Sequence, residues 1–239
     1  MDRVVLPETD STSAELMRRR PERPTWLLAY VQTAARGRRG RAWAMPPGNF
    51  AASMSCALAE DPARIALRSF VAALALYDAL EALGVEALAL KWPNDVLFRD
   101  RKLAGILLEC PAPGRLIVGI GVNLVAAPGV ESLEAGATPP IALAPHGHDI
   151  TPETLLDALA PAYAARETAF MADGFAPIRS AWLARAARLG QRISARTMTE
   201  TRSGLFEDVD ATGHLILAEG PVRHRIAAAD IFFAEAPCS

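Results

Sequence analysis

The spacing of apolar positions changes several times along this chain, and each change marks an expected element. Val4 to Leu6 and Trp26 to Val31 are short apolar runs that predict strands. Between them Asp10-Ser11-Thr12-Ser13 precedes a helical run, and Thr12 with Glu15 has the spacing of a capping box. Phe50 to Leu58 predicts a returning strand. Asp61-Pro62 supplies an N-cap followed by proline at the first helical position. Leu67, Phe70, Val71 and Leu74 then recur at helical spacing until Gly84, placed as a terminating glycine. Four β-like runs follow: Ala87 to Trp92, Val96 to Phe98, Lys102 to Cys110 and Arg115 to Leu124. Turn residues at Pro93-Asn94-Asp95, Arg99-Asp100-Arg101 and Pro111 to Gly114 separate them.

Residues 126–150 are rich in Pro and Gly and read as loop. Thr151-Pro152 opens a helical pattern that reaches Ala172, and Pro161 is expected to kink or divide it. A further helix spans Pro177 to Leu189 and stops at Gly190. From Gln191 onward short alternating strands and turns predict a small β barrel, too small for independent stability and packed against the larger part. The expected class is α+β: a mixed β-sheet with helices over 1–189, then a β module over 190–239.

Composition narrows the class without naming a function. The chain has 239 residues, 51% hydrophobic and 22% charged, which excludes a disordered, collagen-like or coiled-coil protein. A net charge of −2 gives no global field for nucleic acid or an anionic membrane. No signal-peptide pattern follows Met-Asp-Arg, and no apolar run approaches the ~20 residues that span a bilayer, so a cytoplasmic protein is expected. Cys56, Cys110 and Cys238 are scattered and form no CxxC pair. The first two read as small core residues on apolar strands. Of 25 basic residues only two are lysines, Lys91 and Lys102, and both fall within KWPNDVLFRDRK. A chain that otherwise uses arginine keeps lysine where a compact ammonium on a flexible stem suits the task.

Candidate chemistry gathers near those lysines. The stretch Arg36-Gly37-Arg38-Arg39-Gly40-Arg41 sets four guanidinium groups among glycines that let the backbone wrap an anion. A phosphate or carboxylate clamp fits; a solvated basic loop or a nucleic-acid patch also fits. Gln32 and Trp43 flank it with an amide and an aromatic face. Lys91-Trp92-Pro93-Asn94-Asp95 has good turn chemistry, which accounts for Pro93 and Asn94 and leaves Lys91 unexplained. Gly105, after Lys102, permits close approach of a ligand. On the strand after it, Gly119, Gly121 and Asn123 share one face, which suits a flat ligand lying on bare backbone. Ser11 and Thr12 cap a helix, bind a ligand, or do both. His146 and His148 lie in a Pro/Gly loop without metal-ligand spacing and read as solvated; no metal ligand set is assigned. No GxSxG elbow supports a hydrolase.

Taken in order, DSTS at 10–13, QTAARGRRGRAW at 32–43, PPGN at 46–49, KWPNDV at 91–96, RKLAGIL at 101–107 and GIGVNL at 119–124 resemble the biotin protein ligases, or biotin–[acetyl-CoA-carboxylase] ligases. LFEDVDATGHLIL at 205–217 resembles that family's C-terminal SH3-like domain. The resemblance implies a class II synthetase-like, biotin–lipoate ligase fold, and a short form without an N-terminal DNA-binding domain. It implies two steps: ATP and Mg²⁺ convert biotin to biotinyl-5′-AMP, and a lysine of biotin carboxyl carrier protein takes the biotinyl group. By motif matching, Ser11, Thr12, Ser13, Gln32, Arg36, Gly37, Arg38, Lys102 and Gly105 would bind biotin. Arg38, Arg41, Trp43, Lys91, Asn94, Asp95 and Asn123 would bind the nucleotide, and Lys102, Arg36, Lys91 and Asp95 would act in catalysis. No DNA or membrane partner is implied, and an open sheet leaves room for a homodimer. Three positions depart from the family pattern: Ala35 for Gly, Ser13 for Asn, and a single Gly48 before Asn49. Alanine at 35 is expected to strain the loop if that site needs positive φ. Two rivals remain, a lipoate or octanoate ligase-type transferase of the same fold and a non-enzymatic nucleic-acid or small-molecule binder.

Overall fold

The structure is a computed structural model that describes residues 1–129 and 136–233; Cys238 lies outside them. Seven strands form one mixed sheet in the order β1-β2-β3-β7-β6-β5-β4. They are β1 (Asp2–Thr9), β2 (Thr25–Gln32), β3 (Phe50–Ala57), β4 (Leu88–Lys91), β5 (Asp95–Phe98), β6 (Arg101–Ala112) and β7 (Arg115–Val122). Only β1 and β2 run parallel, joined by α1 (Thr12–Arg19); the other neighbours are antiparallel.

Alternation along the strands sends each side chain to one of two unequal layers. Trp26, Leu28, Phe50, Met54, Val118 and Ile120 face a large core under α2 (Pro62–Ala66), α3 (Arg68–Ala82), α4 (Pro152–Asp173) and α5 (Phe175–Leu183). Leu27 and Ile117 face the other way, onto Leu16 of α1. A helix of 8 residues cannot cover seven strands, so much of that second face stays open. The site lies there.

A second, antiparallel sheet follows: β8 (Arg192–Arg196), β9 (Thr201–Val209), β10 (Leu215–Glu219), β11 (Val222–Ile226) and β12 (Asp230–Phe233), in the order β11-β10-β9-β8-β12. Among the described residues the barrel does not close, since β11 and β12 lie at opposite ends of the sheet. It is welded to the larger layer. Phe206, Leu215 and Ile231 belong to the same core as Phe70 and Trp182, and Trp92 Nε1 donates to the Gly213 carbonyl at 3.0 Å.

Several expected elements differ in detail. Ser11, not Thr12, caps α1, and Glu15 pairs with Arg18 and Arg19 instead of closing a capping box. The helix after Asp61 divides at Leu67. Helix α4 continues through Pro161, because Pro161 and the Asp157 carbonyl it leaves unpaired lie on an exposed side where water can bond. Helix α5 ends at Leu183, because the chain leaves the helix to pair with the β4 edge through Ala186 and Leu90. Within the expected 126–150 loop, Ile141, Ala142 and Leu143 are buried, drawn in by pairing beside Lys102. Cys110 is exposed and not a core residue, since β6 runs on past the covered part of the sheet. His146 is exposed and His148 half-buried, and both pack edge-on against Phe98. No described helix is long and apolar enough to cross a membrane.

Candidate active site

The half-open face of the large sheet carries a cavity of about 600 Å³. The candidate residues named from the sequence, from Ser11 to Asn123, lie on its wall, except Arg39 and Gly40 of the arginine stretch. The turns after β1, β2 and β4 bring wall residues in from opposite edges of the sheet, and β6 and β7, between them, form the floor.

One end is neutral and rich in hydroxyl and amide groups. The Thr12 N–H and Oγ–H donate to Gln32 Oε1 at 2.7 and 3.0 Å. Because the Thr12 proton is committed there, its oxygen accepts from Ser53 Oγ at 2.7 Å, and Ser53 in turn accepts from Ser13 Oγ at 3.0 Å. The proton directions in this chain of four groups are thereby fixed. Gln32 Nε2, whose neighbour is the Met45 sulfur at 3.5 Å, keeps donor capacity for a ligand. Ser11 holds α1 in place, its Oγ accepting from the Ala14 N–H at 3.5 Å.

The floor is bare backbone. Gly105 and Gly121 are direct partners across β6 and β7. A Cβ at Gly121 would meet Trp43 Nε1 at 2.6 Å, and one at Gly105 would meet Trp43 Cζ3 at 3.0 Å. The flat group resting on this part of the glycine face is therefore the protein's own indole. A Cβ at Gly119 would meet the Ser13 and Ser53 hydroxyls at 3.0 and 3.4 Å, so that glycine makes room for the polar cluster.

The opposite end is cationic. Lys102 Nζ lies 2.8 Å from Asp95 Oδ1 and 5.7 Å from the Trp43 ring centre. Its backbone is clamped on both sides, the N–H donating to the Pro139 carbonyl at 2.8 Å and the carbonyl accepting from Ile141 at 3.0 Å. Lys91 is buried and donates to Thr138 Oγ1 at 2.7 Å. Burial pulls its pKa from the ordinary 10.5 down to about 8, with nearby Lys102 adding to the fall and Asp95 and Asp230 opposing it. Asn94 has a bracing role: Nδ2 donates to the Ile106 carbonyl at 2.6 Å and Oδ1 accepts from Arg38 at 3.3 Å. The Trp92–Pro93 peptide beside it is cis. Asn123 is buried, and its Oδ1 has no hydrogen-bond partner among the described residues. A buried acceptor of this kind calls for a donor on a ligand or water.

The arginine stretch folds as a hairpin. Arg36 bridges to Ala42, Gly37 N–H donates to the Arg41 carbonyl at 2.7 Å, and Trp43 N–H to the Ala35 carbonyl at 3.0 Å. The tip is a 3₁₀ turn at Arg38–Gly40, with left-handed φ of 57° at Arg39 and 73° at Gly40. Ala35 is not among the positive-φ residues, so the strain expected there is absent; the chirality demand falls at the tip instead. Arg38 is half-buried, and desolvation lowers its pKa despite attraction from Asp230 and Asp95. Arg39 and Arg41 both pair with Asp230, at 2.9 and 3.0 Å.

Three polar cavity residues escaped the sequence reading: Thr138, hidden in the 126–150 loop, Ser53 and Asp230. Ser53 left a faint trace, a small polar residue alternating with Ala52 and Met54 on an apolar strand. Asp230 left none, because nothing local connects it to a hairpin some 190 positions earlier.

The chain is similar to known proteins over most of its length. The model of the biotin/lipoate A/B protein ligase family matches residues 4–123, and that of the biotin protein ligase C terminal domain matches residues 189–234. The biotin–[acetyl-CoA-carboxylase] ligase of Paracoccus denitrificans is 50% identical over 238 residues, covering 96% of this chain and 99% of that protein. The bifunctional ligase/repressor BirA of Escherichia coli K12 is 31% identical over 223 residues, covering 90% of this chain and 69% of that protein. Among solved structures, the biotin protein ligase from Aquifex aeolicus in complex with biotin and ATP superposes with a TM-score of 0.84 at 24% identity, covering 96% of this chain and 97% of that one. That likeness concerns the fold. From the match over both parts of the chain and the identity to full-length relatives, this chain belongs to the biotin/lipoate A/B protein ligase family.

Proposed function

We propose that the protein is an ATP-dependent biotin protein ligase, which activates biotin as biotinyl-5′-AMP and passes the biotinyl group to a lysine of biotin carboxyl carrier protein. The observation that carries this reading is the polarity of one cavity: a fixed hydroxyl–amide cluster at Thr12, Ser13, Gln32 and Ser53, a glycine floor, and a cationic end at Lys91, Lys102 and Arg38. A substrate for it has a neutral ring with donors and acceptors, an apolar stem and an anionic tail. Biotin has that form, and the 50% identical Paracoccus relative carries the matching name.

In the first step a biotin carboxylate oxygen attacks the α-phosphorus of ATP, the new P–O bond forms, and the bond to pyrophosphate breaks. Two anions must meet, so cations aimed at the reacting oxygens supply most of the help. Lys102 is assigned to the carboxylate and α-phosphate, Lys91 to the nucleotide phosphates, and Arg36 and Arg38 to covering the biotin and phosphate. Trp43, Asn94 and Asn123 are assigned to the adenosine, with the unpaired Asn123 oxygen suited to an amino group. Ser11 and Gly37 complete the biotin wall, Gly105 seats the Trp43 indole beside the ligand, and Arg41 borders the nucleotide end. In the second step the acceptor amine attacks the acyl carbon, a C–N bond forms, AMP leaves, and the amine proton passes to Asp95 or water.

Magnesium enters with ATP. Among the described residues Asp95 and Asp230 are the carboxylates on the cavity wall; arginines hold Asp230, whereas Asp95 faces the lysine end. One carboxylate beside phosphates and water suits Mg²⁺, and Asp95 would hold it, where the ion neutralises phosphate charge. Residues 1–189 are taken as the catalytic unit and 190–239 as its C-terminal module. The free thiols of Cys56 and Cys110 suit a reducing, cytoplasmic setting.

The test uses purified protein with biotin, Mg²⁺, ATP and an apo carrier domain. Pyrophosphate release and a carrier mass increase of one biotinyl group are expected. Lipoyl transfer in place of biotinyl transfer moves the assignment to the sister activity. Nucleic-acid binding with steep salt dependence and no pyrophosphate supports the non-enzymatic reading.

A further inference from the structure

We propose that Asp230, at the start of β12, is a positioning residue that pins the arginine hairpin over the cavity from the C-terminal sheet. The inference rests on the ligase reading and adds a residue and a division of labour to it. No side chain of the hairpin tip, Arg38–Gly40, is buried, so packing alone does not hold the tip down. Charge does. A single oxygen, Asp230 Oδ2, accepts from Arg39 Nη1 at 2.9 Å and from Arg41 Nη2 at 3.0 Å. One contact grips the tip and the other the returning arm, so one carboxylate bridges both ends of the turn.

That carboxylate is built to stay put and stay charged. Its neighbours Ala229 and Ile231 are buried, and its backbone pairs with Arg196 of β8. Burial would raise its pKa, but Arg41, Arg39 and Arg38 outweigh that and lower it. The four loop guanidinium groups thus divide. Arg39 and Arg41 anchor the hairpin, whereas Arg38 reaches Asn94 at the cavity and Arg36 is left beside the opening. A charge-held cover fits the chemistry, because an acyl adenylate exposed to water or to stray amines is lost. Half-exposed pairs of this kind loosen without unfolding the sheet beneath.

The experiment compares wild type, Asp230→Asn and Asp230→Glu as full chains. The first readout needs no substrate: the rate of tryptic cleavage between Arg36 and Arg41 in the free protein, with cleavage after Arg202 and Arg223 as the internal control. Asp230→Asn should raise hairpin cleavage about fivefold, as the loss of a pair of modest surface interactions implies, and leave the control sites unchanged. Asp230→Glu should stay near wild type. The second readout is product fate with biotin, Mg²⁺ and ATP. Asp230→Asn should shift labelling from the carrier to bystander lysines, counted per pyrophosphate released. Unchanged hairpin cleavage, or a rise at all sites alike, overturns the proposal. So does labelling that stays confined to the carrier. If wild type releases no pyrophosphate, the ligase reading fails, yet the cleavage comparison still decides whether Asp230 holds the hairpin.

Discussion

Lys91→Met offers a test in which stability and function should move in opposite directions. Methionine keeps the length of the stem and removes the ammonium. The native side chain is only 7% exposed, and burial is the main cause that lowers its pKa from 10.5 to about 8. At about 1.36 kcal/mol per pKa unit, keeping that charge in the fold costs about 3 kcal/mol at pH 7. The substitution also forfeits the Thr138 hydrogen bond and the Phe233 ring contact at 5.0 Å. Together these offset about 1–2 kcal/mol. The variant should therefore be more stable than wild type by about 1–2 kcal/mol at pH 7, a Tm gain of about 2–8 °C for a chain of this size.

The pH dependence gives the sign independently. Below pH 8 the lysine is protonated in both the folded and the unfolded state, so wild type bears the full cost. Between pH 8 and 10.5 the folded state has released the proton and the unfolded state has not, so wild-type stability rises with pH. The advantage of Lys91→Met should shrink through that window, because every other group titrates alike in both proteins. Calorimetry at pH 7, 8.5 and 10 reads the gap, and pyrophosphate release at pH 7 should fall at least ~100-fold. A variant less stable than wild type at pH 7, or a gap that ignores pH, refutes the reasoning.

Lys102→Arg should fold normally and lose adenylation about 100-fold, since a planar fork cannot take the point contact 2.8 Å from Asp95; pyrophosphate release measures it. Gly121→Ala places a Cβ 2.6 Å from Trp43 Nε1 and must shift the indole. Substrate KM should rise about 10-fold or more, with a change in tryptophan emission, because the indole that must move is Trp43, while Trp26 and Trp182 are buried in the core and Trp92 is tied to the Gly213 carbonyl. Ser53→Ala breaks the hydroxyl chain at a fully buried link. Biotin Kd should rise about 10-fold, the equivalent of about 1.4 kcal/mol, as titration calorimetry will report, while ATP binding is unchanged.

How far the chain could be read depended on how local each cause is. Strand positions, the Asp61-Pro62 and Thr151-Pro152 helix starts and the glycine face at 119 and 121 were legible, because they follow from side-chain period and backbone permissiveness within a few residues. The rarity of lysine pointed to Lys91 and Lys102, and the structure sets both on one cavity wall. Only the fold could decide the rest. The end of α5 at Leu183 depends on an open β4 edge, and the continuity of α4 through Pro161 depends on which side of that helix faces water. Trp43 lies on Gly105 and Gly121 because β6 and β7 pair in one register. Asp230 meets Arg39 and Arg41 because two sheets dock, and pairings set by docking leave no pattern in the intervening sequence.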